Sequence, residues 1–74
     1  MPLKQCFEFN DSEINSHKYW KVSIKGDNVS YEWGRIGSRG QSLDKSFPGS
    51  GDAMNAAMKK INEKAREGYK QIPC

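Results

Sequence analysis

From Lys18 onward, large apolar residues recur at every second position: Trp20, Val22 and Ile24 alternate with Tyr19, Lys21, Ser23 and Lys25. Side chains of a β-strand point alternately to its two faces, so this segment is a strand with one apolar and one mostly polar face. Lys25-Gly26-Asp27-Asn28 interrupts it with residues that tolerate positive φ, and Val29, Tyr31 and Trp33 resume the alternation. A two-stranded hairpin is the prediction. Upstream, Leu3 to Phe9 reads as a first strand, followed by the polar stretch Asn10 to Ser16, whose side chains bond readily to their own backbone. Downstream, Gly34, Gly37 and Gly40 recur at every third position and require the chain to bend there. Gln41 to Phe47 reads as a fourth strand, with Leu43 and Phe47 on one face.

The period changes after Pro48-Gly49-Ser50-Gly51. Met54, Ala57, Met58, Ile61 and Ala65 fall at helical spacing and form one apolar stripe, able to cover the hydrophobic face of the sheet. Ser50 or Asp52 is placed to cap the helix by accepting its free amide protons. Gly68 closes it, with Tyr69 set to fold back on the last turn. The fold expected is α+β: a small antiparallel sheet of three to four strands with one C-terminal helix packed on one face. A single domain is expected over residues 3–70, with 71–74 as a short tail.

Composition narrows this picture. A chain of 74 residues has room for one thin core, and such domains retain only ~3 to 5 kcal/mol of net stability, so most apolar residues are committed to packing. Residues 1–9 carry Lys4 and Glu8 and no apolar run suited to a secretory signal or a membrane span, so a cytoplasmic location and no membrane partner are expected. Two glycosylation-like triplets, beginning at Asn10 and Asn28, then have no role. Cys6 and Cys74 do not form a CxxC pair, and a reducing cytosol disfavours a disulfide, so Cys6 reads as core and Cys74 as tail. Charge is unevenly distributed. Over residues 1–52 seven basic and seven acidic side chains cancel, while 53–74 hold five basic against two acidic, the whole of the +3 excess. A basic helix face attracts phosphates; the plainer reading is a solvated helix with Lys59 and Glu63 paired at i,i+4.

The parts for catalysis are missing. His17 is the only histidine, and no nucleophile stands beside a base, so no enzymatic activity, cofactor or metal is expected. Gly37-Ser38-Arg39-Gly40 imitates the GxxG phosphate clamp of KH domains, yet it lies between strands, where it is a turn. Its amides and Arg39 could still meet a phosphate. The unusual feature is Trp33-Gly34-Arg35: an indole, a residue without a side chain and a guanidinium in one short stretch. In an extended chain Trp33 and Arg35 point to the same side, a pairing suited to stacking on a base or sugar and to a charge-assisted bond with phosphate. Equally, Trp33 could serve the core, with Arg35 a plain surface charge; the pattern alone leaves both readings open.

Glu32-Trp33-Gly34-Arg35-Ile36-Gly37-Ser38-Arg39-Gly40-Gln41-Ser42 strongly resembles the signature of the WGR domain. The resemblance extends from about Phe7 to Tyr69. His17-Lys18-Tyr19-Trp20 is similar to the family's strand-opening Asn-Lys-aromatic-aromatic, with His17 in place of the usual Asn. Phe47 and Ala53 fall at its "F…A" spacing, and Glu63 to Tyr69 resembles its closing helix. Short chains of this kind resemble bacterial members. WGR domains occur in DNA-damage-responsive poly(ADP-ribose) polymerases, where they bind DNA at breaks, the tryptophan stacking on a terminal nucleotide and the arginine and lysine holding nearby backbone. The resemblance therefore implies a non-catalytic DNA-binding module preferring ends or nicks, and a monomer is expected. Trp33, Gly34, Arg35, Lys18, Arg39 and His17 are the expected contact residues. The alternative is a protein–protein interaction module that uses the same surface to recruit a partner enzyme.

Overall fold

The computed structural model of the chain describes residues 3–74. In chain order its elements are β1 (Leu3–Asp11), β2 (Ser16–Lys25), β3 (Asn28–Arg35), β4 (Gln41–Ser46), α1 (Ser50–Arg66) and β5 (Lys70–Ile72). The strands form one antiparallel sheet in the order β4-β3-β2-β1-β5. The sheet thus has five strands rather than three to four, and the fold is α+β.

The β2–β3 hairpin forms as predicted, with Gly26 at φ 63 in its turn and Lys25 paired with Asn28. Alternation then sorts the strands into two faces. Phe7, Trp20, Val22, Ile24, Val29 and Tyr31 are buried on one of them, in one cluster with Ala53 and Ala57 of α1. Trp33, Phe47, Ile61 and Tyr69 pack half-buried around this cluster. Aromatic rings run across its centre, Phe7 to Trp20 at 5.6 Å and Trp20 to Tyr31 at 5.9 Å between centroids.

Of the predicted stripe, Ala57 and Ile61 face the core, joined by Ala53 in place of Met54. Ala53 and Ala57 are fully buried, whereas Met54, Met58 and Ala65 are exposed. Small side chains let the helix approach a sheet already filled by tryptophan and tyrosine; the methionines are left at the rim. Neither Ser50 nor Asp52 caps the helix. Its N-cap is Gly49, in extended backbone and without a side-chain bond, and Asp52 lies inside the first turn, where its charge suits the helix dipole. At the other end Gly68, at φ 102, donates to the Ala65 carbonyl while Tyr69 donates to that of Lys64, at 3.2 and 3.0 Å. This paired arrangement is a Schellman motif, and it reverses the chain.

That reversal explains the fifth strand. Residues 71–74, expected to form a tail, leave the helix directed along β1, and Lys70, Gln71 and Ile72 pair with Glu8, Phe7 and Cys6. The return carries Cys74 to Cys6, and the two form a disulfide with Cα atoms 5.4 Å apart. Cys6 is buried as expected, but neither cysteine is a free thiol.

Candidate nucleic-acid interface

Residues directly opposite one another in an antiparallel pair share a face of the sheet. The β2–β3 register sets Trp20 against Trp33 and Lys18 against Arg35. Lys18, Trp33 and Arg35 therefore converge on the face that shares its core with α1. The Lys18 ammonium lies 5.3 Å from the Phe9 ring centre, a cation–π contact that holds it near the sheet while leaving it exposed. Arg35 is exposed, and among the described residues neither cation has a carboxylate within ion-pair distance.

Trp33 is half-buried. One side of the residue packs on the core, and another borders a hollow of about 200 Å³ together with Trp20, Tyr31, Leu43, Lys45, Lys60 and Lys64. The Lys64 ammonium sits 5.9 Å from the Trp20 ring centre and 5.1 Å from that of Tyr69. Lys60 and Lys64 also pair with Glu63 and Glu67, at 3.4 and 3.8 Å, across i,i+3 positions on the solvent side of the helix, Lys64 itself half-buried, where such bonds yield easily. The predicted Lys59–Glu63 pair is replaced by these two. Burial raises the Tyr31 hydroxyl pKa above its ordinary value, with Lys60 pulling the other way, and burial followed by Glu67 raises that of Tyr69. Both phenols are neutral hydrogen-bonding groups beside the lysines.

Lys45, Lys60 and Lys64 were not among the residues expected at the site. The signals were present: Lys45 lies two positions from Leu43, and Lys60 and Lys64 flank the face that carries Ala57 and Ile61.

The glycine of Trp-Gly-Arg is required by the backbone around it. A Cβ built on Gly34 would lie 2.7 Å from the Gly40 Cα, and one built on Gly40 would run into the Tyr19 hydroxyl and the Trp33 carbonyl. The two glycines let the backbone cross itself where β3 leaves the sheet and returns as β4. Within that loop the Arg35 carbonyl accepts from the Ser38 amide at 3.0 Å and from the Ser38 hydroxyl at 2.7 Å, so the Ser38 amide is occupied inside its own turn.

Arg39 and His17 do not join Lys18, Trp33 and Arg35. The loop folds over the opposite, open face, where the Tyr19 hydroxyl donates to the Arg39 carbonyl at 2.9 Å. His17, one residue before Lys18, points to that same open face, and its Nδ1 donates to Asn10 Oδ1 at 2.8 Å. Of the six expected contact residues, then, Lys18, Trp33 and Arg35 are gathered with Gly34 as their hinge, and two are on the far side.

The WGR domain family matches residues 3–73, nearly every described position. The chain belongs to the WGR domain family. Among its relatives, the Escherichia coli protein YehF is 41% identical over 54 residues, covering 73% of this chain. The Escherichia coli protein YfeS is 30% identical over 71 residues, covering 96% of it. The crystal structure of a Bacteroides fragilis protein, a Northeast Structural Genomics Consortium target, superposes over 96% of the chain with a TM-score of 0.89 at 35% identity. Each of these proteins is far longer: the chain spans 20% of YehF, 28% of YfeS and 20% of the Bacteroides chain. Among the described residues, no helix is long and apolar enough to cross a membrane.

Proposed function

We propose that this WGR domain is a non-catalytic DNA-binding module, acting as a monomer with a preference for ends or nicks. The observation that carries the reading is the convergence of Lys18, Trp33 and Arg35 on one face, with Lys45, Lys60 and Lys64 around the same indole. Trp33 offers its open side to a base or sugar freed at a strand terminus, an interaction worth about 1–3 kcal/mol. Inside an intact duplex that surface is covered by the next base pair, which is the physical origin of the preference. Arg35 and Lys18 hold phosphates on either side, Arg35 with a planar fork and Lys18 as a point charge. Nothing in this arrangement reads base edges, so sequence preference is slight. Arg39 and His17 have no part in it.

Fluorescence anisotropy with a nicked 5′-phosphorylated duplex, an intact duplex and a single strand tests the proposal. The nicked duplex binds tightest. With three or four phosphates engaged, the logarithm of the binding constant falls against that of salt with a slope of about −3. Equal, weak binding to nicked and intact duplex removes the end preference. No binding to any of the three at low salt leaves the face to a protein partner instead.

A further inference from the structure

The halves of the Cys6–Cys74 disulfide sit in unlike surroundings. Cys6 is 2% exposed in the middle of β1, whereas Cys74 lies exposed beyond β5. Apart from the disulfide, the pairings that tie residues 70–74 to the sheet are the three of β5. No residue from Lys70 to Cys74 belongs to the buried cluster, whose members come from β1, β2, β3 and α1. Tyr69, by contrast, is fixed without the disulfide: its amide donates to the Lys64 carbonyl, and its ring lies 5.5 Å from that of Phe9. The segment that depends on the disulfide thus begins at Lys70. With Ile72 and Pro73, the disulfide forms one wall of an open concavity of about 490 Å³ on the face away from α1. Lys4, Lys21 and Arg39 border the same space, with Glu8 and Glu32 opposing them.

We propose that Cys6–Cys74 is a thiol-exchange site, at which a small peptide thiol of the glutathione class unfastens β5 and its disulfide refastens it, while the rest of the domain stays folded. The thiolate attacks Sγ of Cys74, the exposed half. The Cys6–Cys74 bond breaks, and its electron pair leaves on Sγ of Cys6, which takes up a proton. A second thiolate then attacks the small thiol's sulfur in the mixed disulfide, releasing Cys74 as a thiol after protonation and forming the small-molecule disulfide. Two small thiols are oxidised as one protein disulfide is reduced. The three cations around the concavity outnumber the two carboxylates and favour an anionic thiol there. Once the bond is open, three strand pairings with no core side chain behind them are too few to hold β5.

The test uses the full chain, equilibrated in glutathione buffers from oxidising to reducing. Alkylation and mass measurement count free thiols, and ¹⁵N NMR follows order along the backbone. The expected result is a reversible gain of two alkylated thiols. Together with it, order parameters over 70–72 fall from about 0.85 to below about 0.6, while the resonances of β2, β3 and α1 keep their dispersion. Cys74→Ser reproduces the reduced spectrum without any added small-molecule thiol. Three results overturn the proposal: free thiols in oxidising buffer, loss of dispersion throughout the domain on reduction, or an ordered 70–72 segment in the reduced protein.

Discussion

The two faces of the sheet carry comparable numbers of charged side chains and differ in how these are sorted. On the α1 face Lys18, Arg35 and Lys45 surround the aromatic floor of Trp20, Tyr31 and Trp33, and Lys60 and Lys64 reach it from the helix. On the open face Lys21 stands directly opposite Glu32, and Lys4 and Glu8 alternate along β1. Neighbouring charges of opposite sign cancel each other's field within a few ångströms; Lys18 and Arg35, with no carboxylate within ion-pair distance among the described residues, keep theirs. A modest net charge can therefore coexist with a strongly biased surface, because alternation along each strand delivers the signs to different sides.

The largest expected effect lies in the loop that joins β3 to β4 over the open face. Gly40→Ala forces a Cβ into the Tyr19 hydroxyl and the Trp33 carbonyl, at a φ of +70. Overpacking and left-handed strain together should remove about 3–5 kcal/mol, seen in urea denaturation as a much lower midpoint or as failure to fold. Gly37→Ala, at φ +91 with nothing within 4 Å of the new Cβ, bears the strain alone and should cost about 1–2 kcal/mol. Equal losses would mean that the close contacts at Gly40 add nothing to the left-handed strain.

Next comes the disulfide, which belongs to the open face only. Cys74→Ser should lower stability by about 2–4 kcal/mol, since the bond closes most of the chain into a loop and so restricts the unfolded state. Thermal melts with and without reductant measure it. Affinity for a nicked duplex should remain within about twofold, a change of only ~0.4 kcal/mol. A larger loss would show that the two faces are coupled.

Much of this was legible in the pattern of residues. The period-two runs gave four strands, and the two-residue turn at Gly26 and Asp27 fixed the register of β2 on β3. Once Lys25 meets Asn28, Lys18 must meet Arg35. The same rule sets His17 apart from Lys18: one step along the strand is the other face. Three things were not legible. β5 is too short to show a period, and it exists because the Schellman motif at Gly68 aims the chain back along β1. The disulfide depends on that return, so two cysteines 68 positions apart gave no signal. The helix face was legible at Ala57 and Ile61 but not at Ala53, because Met54 is the more hydrophobic residue while closest approach to a crowded sheet selects the smaller side chain.

Trp33 tests whether one residue serves both core and ligand. Trp33→Leu keeps apolar volume against the cluster, so folding should persist at a cost of about 1–2 kcal/mol, while affinity for the nicked duplex falls about tenfold. Binding to intact duplex should change far less. A variant that loses stability and leaves affinity untouched would assign the indole wholly to the core.

The last test removes two cations from each face in turn. Lys18→Ala with Arg35→Ala removes the pair opposite each other on the α1 face, and Lys21→Ala with Arg39→Ala removes two cations that border the open concavity. Each double variant loses two positive charges, so a response to overall charge would weaken binding equally in both. If phosphates are held on the α1 face, the first pair releases two fewer counterions and its salt slope flattens from about −3 to about −1. The second pair should keep the slope of the parent and lose less than about twofold in affinity at any one salt concentration. Anisotropy titrations at four or five salt concentrations separate the outcomes. A flattened slope in the second pair would mean that the backbone wraps around the loop at Gly37 and contacts both sides of the sheet.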